Sequence, residues 1–230
     1  MRYVGNKTRL AKQLLPIILK DDDGNSDYVE PFVGACGMMS SVNRMWRRGY
    51  DSNKYIIALW KAVQNGWVPP QTLSREEYDD IKTNKDRYHN HLVGFVGFGC
   101  SFGSKWFGGY ASSGGRNHCG ESHRNVLKMS PHISGVLFGC SDYKDIVLNK
   151  RSIVYCDPPY QKTLGYAGAT FNPDEFWTWC RKLAVDGHRV FVSEYSAPPD
   201  FRCVFERSVN VSVARSVCKK AVERLFVPVI

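Results

Sequence analysis

The short apolar strand Ser152-Ile153-Val154-Tyr155-Cys156 runs directly into Asp157-Pro158-Pro159-Tyr160. Two successive prolines remove two backbone donors and stiffen the turn, so carbonyl oxygens point outward beside a carboxylate and an aromatic ring. In a sheet wound through alternating strands and helices, ligands meet the chain at the carboxyl ends of strands. The tetrapeptide therefore predicts an active edge, and the fold has to deliver it there.

The rest of the chain has the alternation that such a sheet requires. Lys7 to Lys20 carries Leu10, Leu14, Leu15 and Ile18 at helical spacing, with Pro16 placed to bend or shorten the helix. Tyr28-Val29-Glu30-Pro31-Phe32-Val33-Gly34-Ala35-Cys36-Gly37 reads as a strand entering a glycine loop, and Met38 to Arg48 as the helix that follows. Tyr55 to Val63 is a second apolar-periodic helix, for which Ser52 or Asn53 is the expected N-cap. Further strands are expected at Val136 to Cys140, Ile153 to Cys156, Arg189 to Val192, Val209 to Val213 and Leu225 to Val229. A helix opens between two of them at Asn172-Pro173, with Asn172 as N-cap and Pro173 at the first helical position. The last two strands have no helix between them, so the sheet should end in an antiparallel edge hairpin. The expected class is α/β, a Rossmann-like mixed sheet.

From about residue 69 to residue 134 the strand rhythm stops, and glycine, aromatic and basic residues become frequent. Residues 1–68 and 135–230 accordingly read as one catalytic domain, and 69–134 as a mainly helical insertion. Within it, Ser74 and Glu77 have capping-box spacing at the start of a helix running to Lys82.

Charge and cysteine usage narrow the class. Thirty-one Lys and Arg against 22 Asp and Glu give a formal charge of +9, which favours a polyanionic partner. No apolar stretch approaches the roughly 20 residues that a membrane span needs. The opening Met1-Arg2-Tyr3-Val4-Gly5-Asn6-Lys7 lacks the apolar core of a secretory signal, so a cytoplasmic protein is expected. The eight cysteines are scattered singly, which argues against a disulfide framework. His118, Cys119 and His123, with His89 and His91 upstream, match no standard zinc spacing, and no metal is expected.

An exocyclic amine conjugated to a purine is a poor nucleophile, because its lone pair is delocalised into the ring. Acceptors at Asp157 and the Pro158 carbonyl would draw its two hydrogens and free that pair, so catalysis reduces to positioning and electrostatics. Tyr160 can stack on a base swung out of a duplex.

Taken in order, Arg2-Tyr3-Val4-Gly5-Asn6-Lys7, Glu30-Pro31-Phe32-Val33-Gly34-Ala35-Cys36-Gly37 and Asp157-Pro158-Pro159-Tyr160 make the chain resemble the Dam-type, D12-class DNA adenine-N6 methyltransferases, in the small form carried by bacteriophages. In that family the cofactor loop precedes a target-recognition insertion, which precedes the catalytic tetrapeptide.

The resemblance implies S-adenosylmethionine as cofactor and double-stranded DNA as partner, with an adenine flipped out for methylation at N6. It implies that Tyr3 and Lys7 line the cofactor site and that Glu30, Pro31, Phe32, Gly34 and Gly37 wrap its methionine part. Asp51 would bind the ribose, Asp142 and Tyr143 would lie beside the cofactor adenine, and Asp157 would touch both ligands. A carboxylate about 20 residues past a glycine loop suits ribose on physical grounds as well. Lys105, Trp106, Tyr110, Arg116, Arg124 and Lys128 are the expected DNA contacts, although aromatics there can equally form the insertion's own core. The chain departs from the family in having Tyr3-Val4-Gly5-Asn6-Lys7 for the commoner Trp-Ala-Gly-Gly-Lys, and Cys36 where Gly or Ala is usual.

Other readings fit less well. An N4-cytosine enzyme more often carries Ser before Pro-Pro-Tyr, and RNA or protein-glutamine methyltransferases carry Asn. Gly34-Ala35-Cys36-Gly37 is not the GxGxxG of a nicotinamide dehydrogenase, and Gly5-Asn6-Lys7-Thr8 lacks the earlier glycine of a triphosphate loop. A catalytically silent DNA-binding protein on the same fold stays open. Oligomeric state is left between monomer and weak dimer.

Overall fold

The computed structural model describes residues 6–112, 114–148, 151–159, 171–214 and 217–229, and of residues 209–214 and 217–221 the backbone alone. Tyr3 and Tyr160 lie outside the described residues.

Among the described residues, seven strands form one sheet: β1 (Asp27–Glu30), β2 (Arg47–Asp51), β3 (Leu137–Cys140), β4 (Ser152–Cys156), β5 (Arg189–Glu194), β6 (Phe201–Ala214) and β7 (Val217–Pro228). Their order is β3-β2-β1-β4-β5-β7-β6. The first five run parallel, and β7 lies antiparallel to both β5 and β6. The sheet is thus mixed with an antiparallel edge hairpin, as its strand rhythm predicts. Its order reverses between β1 and β4, where a doubly wound sheet opens its ligand crevice.

Strand alternation divides the core between the two faces. Tyr28, Ile153, Tyr155, Phe191 and Leu225 pack with helices α1 (Thr8–Ile18) and α2 (Lys54–Gln64). Their neighbours Val29, Val154, Cys156, Val190, Val192 and Phe226 turn the other way.

Residues 69–134 contribute α3 (Arg75–Thr83), α4 (Asn90–Gly94), which continues as a π-turn to Gly99, and α5 (His118–Met129). Tyr78, Phe95, Phe98 and Val126 from this stretch share the α1/α2 core. The last helix, α6 (Pro173–Val185), covers the opposite face through Phe176, Trp177, Cys180 and Leu183.

Local sequence accounts for most helix starts. Asn53 accepts from the Tyr55 and Ile56 N–H groups, Ser74 and Glu77 close the capping box, and Asn172 accepts from Asp174 and Glu175 ahead of Pro173. Each such cap is worth about 1 kcal/mol. Pro16 sits inside α1 close to its end, and the helix stops at Ile18.

The expected helix from Met38 to Arg48 does not form. One 3-10 turn, Met39–Ser41, is followed by β2, whose backbone pairs with β1 on one side and β3 on the other. Arg48 bridges to Asp27 at 2.9 Å, and Arg47 donates to the carbonyls of Val42, His132 and Ser134. A Cβ on Gly49 would meet the Val33 side chain at 2.9 Å and the Phe138 ring at 3.0 Å, so glycine lets both pack closely on the centre of this strand. Pairing across the sheet overrides the local helical pattern here.

Candidate active site

Four of the predicted residues converge because the parallel strands end side by side. Glu30 closes β1, Asp51 closes β2, Asp157 follows β4 directly, and Asp142 lies two residues beyond β3. Acidic side chains therefore line one carboxyl edge.

The glycine loop after β1 is tied to its neighbours by named bonds. Val33 N–H donates to the Tyr50 carbonyl at 2.8 Å, Gly34 N–H donates to Asp51 Oδ2 at 3.0 Å, and Trp60 Nε1 donates to the Gly34 carbonyl at 2.7 Å. Gly34 has φ 42° and Cys36 φ 57°, both in the left-handed region. A non-glycine residue costs roughly 1–2 kcal/mol there, so Cys36 marks a loop whose shape is imposed by its surroundings. At Gly37 a Cβ would come within 2.2 Å of Asn6 Oδ1 and 3.0 Å of the Thr8 nitrogen, so glycine lets the loop press against the start of α1.

That close approach sets the position of Lys7. Asn6 Oδ1 accepts from the Thr8 N–H at 3.0 Å, turning the chain just before α1. Lys7 Nζ then lies 3.1 Å from Asp157 Oδ1 and 3.5 Å from Glu223 Oε2, and its side chain is only 4% exposed. Burial alone would lower the ammonium pKa, but Asp157 and Glu223 outweigh it and hold Lys7 above the usual lysine value. Glu223 belongs to β7, and nothing in the sequence singles it out.

Glu30 is buried, and its Oε1 has no hydrogen-bond partner. Burial pushes its carboxyl well above the usual carboxylate range against the opposing effect of the neighbouring Tyr28 hydroxyl, and the charge of Asp157 adds to the rise. Asp51 is pushed up to about 6 by burial, against the opposing effect of the Asn53 and Gly34 N–H groups that it accepts. Asp142 accepts from the Lys144 N–H, starting a single 3-10 turn. Tyr143 is buried with its hydroxyl unpartnered, its ring 5.4 Å from Phe32 and 5.1 Å from Trp179. Phe32 also meets Phe171 and Phe176, which makes an aromatic box beside the edge. Pro31 and Phe32 lead the chain from β1 into the glycine loop.

The aromatic 101–110 loop packs against the start of α2. Trp106 stacks on Tyr55, with ring centroids 5.3 Å apart, and Tyr55 stands at the start of α2, just past Asp51. Tyr110 donates its hydroxyl to the Leu73 carbonyl, Ser101 and Tyr110 form a β-bridge, and Phe107 is buried. Phe102 is different: it is 68% exposed beside that bridge, near exposed Lys105. Arg124 and Lys128 are exposed on α5, and Arg116 is paired with Glu121. His123 Nδ1 lies 2.7 Å from the Pro69 carbonyl, and Cys119 Sγ donates to the Pro70 carbonyl, so both pack within the insertion. Among the described residues, no group of three or more His, Cys, Asp and Glu side chains is placed to hold a metal, and no helix is long and apolar enough to cross a membrane.

Residues 3–94 match the model of the family described as D12 class N6 adenine-specific DNA methyltransferase. No curated protein matches the sequence. Among solved structures, the chain is similar to an rRNA methyltransferase from Streptomyces viridochromogenes, with TM-score 0.44 and 10% identity over 96% of this chain and 84% of that one. It is also similar to a protein from Haemophilus influenzae described as a putative methylase, with TM-score 0.42 and 10% identity over 96% of this chain and 89% of that one.

Proposed function

We infer that the chain, whose residues 3–94 match the model of the D12 class N6 adenine-specific DNA methyltransferases, works on a flipped-out adenine of double-stranded DNA with S-adenosylmethionine as methyl donor. The observation that carries this reading is the meeting of Lys7, Glu30, Asp51 and Asp157 at the ends of three neighbouring parallel strands.

The chemistry of these residues suits that cofactor. Asp51 keeps a carboxylate where two ribose hydroxyls can donate, and the Tyr143 and Phe32 rings offer apolar aromatic surface to a purine. The unpartnered Glu30 oxygen is an acceptor awaiting a donor such as an ammonium group. Gly34 and Gly37 let backbone approach closely. When bound, S-adenosylmethionine supplies a methyl group activated by its sulfonium.

The protein's own contribution is placement. Asp157 and the Pro158 carbonyl accept the two hydrogens of the adenine N6 amine, pushing the nitrogen toward tetrahedral geometry and freeing its lone pair. The nitrogen gains positive charge as the methyl arrives, and the Asp157 carboxylate stands next to that charge. The extra N6 proton is then released to solvent. Lys7 pairs with Asp157 and fixes one of its oxygens. Residues 69–134 form the target-recognition unit, with the 101–110 loop facing the duplex and Lys105, Arg116, Arg124 and Lys128 meeting phosphates.

The test is to incubate the chain with unmethylated duplex and isotopically labelled cofactor, digest to nucleosides and identify the modified base by mass spectrometry. N6-methyladenine from the wild type and none from Asp157→Ala is the expected result. Labelled N4-methylcytosine, or equal turnover by the variant, would overturn the reading.

A further inference from the structure

The Lys7 ammonium is shared by two carboxylates, one at the head of the catalytic tetrapeptide and one on the edge hairpin. Neither the glycine loop nor the tetrapeptide calls for a hairpin residue at this point. The sequence next to Glu223 explains why it points inward. Its neighbour Arg224 is already engaged, through Nε with Glu206 at 2.9 Å and through Nη1 with the Tyr195 carbonyl at 2.6 Å. Strand alternation sends adjacent side chains to opposite faces, so Arg224 is turned away from Glu223. The Glu223 side chain is 14% exposed, which is costly for a carboxylate unless a cation meets it, and Lys7 does.

We propose that Glu223 is a positioning residue for methyl transfer, acting through Lys7 on Asp157. An ammonium has three donors in a compact head. Buried beside a single carboxylate, it gains most by straddling both oxygens, which would set Lys7 against the oxygen that has to accept the amine hydrogen. The second carboxylate, 3.5 Å from the ammonium, holds it over Asp157 Oδ1. It also leaves the three charged groups with a net negative charge beside the nitrogen that becomes cationic. Glu223 is thus the reason that the closing hairpin of the sheet matters to the chemistry at the end of β4.

The proposal rests on the reading that Asp157 accepts from the target amine, and the experiment separates the two. Glu223→Gln keeps the size and polarity and removes the charge. It is expected to lower kcat about tenfold, less than the roughly 10²–10³ that follows removal of a group touching the transition state. KM for DNA, the calorimetric Kd for the cofactor and the thermal midpoint should stay close to wild type. Glu223→Asp, which restores the charge one methylene short, should recover part of the loss. In a Lys7→Met background, Glu223→Gln should have no further effect on kcat, since the ammonium through which it acts on Asp157 is gone. Wild-type kcat in Glu223→Gln, or equal losses with and without Lys7, would overturn the proposal while Asp157→Ala stays inactive. Should Glu223→Gln fold poorly, Glu223→Asp with the same Lys7→Met cycle decides it alone. Full turnover by Asp157→Ala would instead remove the reading on which the proposal stands.

Discussion

The Asp51 carboxylate accepts the Gly34 N–H at 3.0 Å, so the residue expected to hold a ribose is also the clasp between β2 and the glycine loop. Its second oxygen accepts the Asn53 N–H at 2.9 Å, just ahead of α2. Burial raises its pKa to about 6 in spite of both donors.

This pKa gives two pH dependences of opposite sense. Ribose hydroxyls need the ionised form, so cofactor affinity should fall as pH drops below about 6, approaching tenfold per pH unit. For stability, the folded chain holds this proton more tightly than the unfolded chain does, across the window from the ordinary value of 3.8 up to about 6. Stability contributed by Asp51 is therefore present at low pH and is lost as pH rises through that window. Calorimetric titration of cofactor at about pH 5, 6 and 7, with Asp51→Asn as control, checks the first. The variant should bind weakly at every pH, and a parallel pH trend in it would assign the effect to another group.

Gly37→Ala should damage the site more than the fold. Its Cβ would collide with Asn6 Oδ1 and crowd the Thr8 nitrogen, so the turn that places Lys7 has to move. The expected loss is about 1–3 kcal/mol of stability, the usual cost of overpacking, with a larger proportional drop in cofactor affinity. Chemical denaturation and calorimetry on one preparation would show it. A wild-type cofactor Kd would mean that the loop yields without disturbing Lys7.

How much of this is legible in the sequence follows from which interactions are local. The helix starts at Asn53, Ser74 and Asn172 are readable because a cap and the N–H it serves are two or three residues apart. The strand end at Asp157 is readable because an apolar run stops at prolines. β2 is not, because Arg47-Arg48-Gly49 carries no apolar alternation and becomes a strand only through pairing with β1 and β3. Glu223 escapes notice for the same reason: nothing in its neighbourhood foretells that Lys7, near the other end of the chain, will lie 3.5 Å away. The aromatics of the 101–110 loop are visible as a cluster, but which of them face inward depends on Tyr55 and Leu73, far off in sequence.

That sorting of aromatics separates Phe102 from Trp106. Phe102 is 68% exposed on a loop pinned by the Phe102 N–H to Gly109 carbonyl bond at 2.7 Å, so it presents a ring that the fold does not need. Phe102→Ala should leave the thermal midpoint within about 1 °C of wild type and weaken DNA binding by the ~1–3 kcal/mol typical of one base-stacking interaction. Trp106→Ala should lower the midpoint by several degrees, because it empties the space between Tyr55, Phe98 and Phe107. Thermal melts and fluorescence anisotropy with a labelled duplex distinguish them. Equal stability losses in both variants would mean that Phe102 also serves the core.

Lys105 and Arg116 should differ in the salt dependence of DNA binding, although replacing either removes one positive charge. Arg116 is already neutralised locally by Glu121 through two guanidinium hydrogen bonds, and a phosphate has to compete with that carboxylate. Lys105 stands exposed near Phe102 on the loop that packs on Tyr55 through Trp106. Taking away one phosphate interaction lowers the slope of log K against log salt by about 0.9. Lys105→Ala should therefore flatten the slope by about one, and Arg116→Ala by clearly less. Anisotropy titrations from low to moderate salt give both slopes. Equal flattening would mean that Arg116 leaves Glu121 for the DNA, and no change at Lys105 would move the phosphate-binding role to Arg124 and Lys128 on α5.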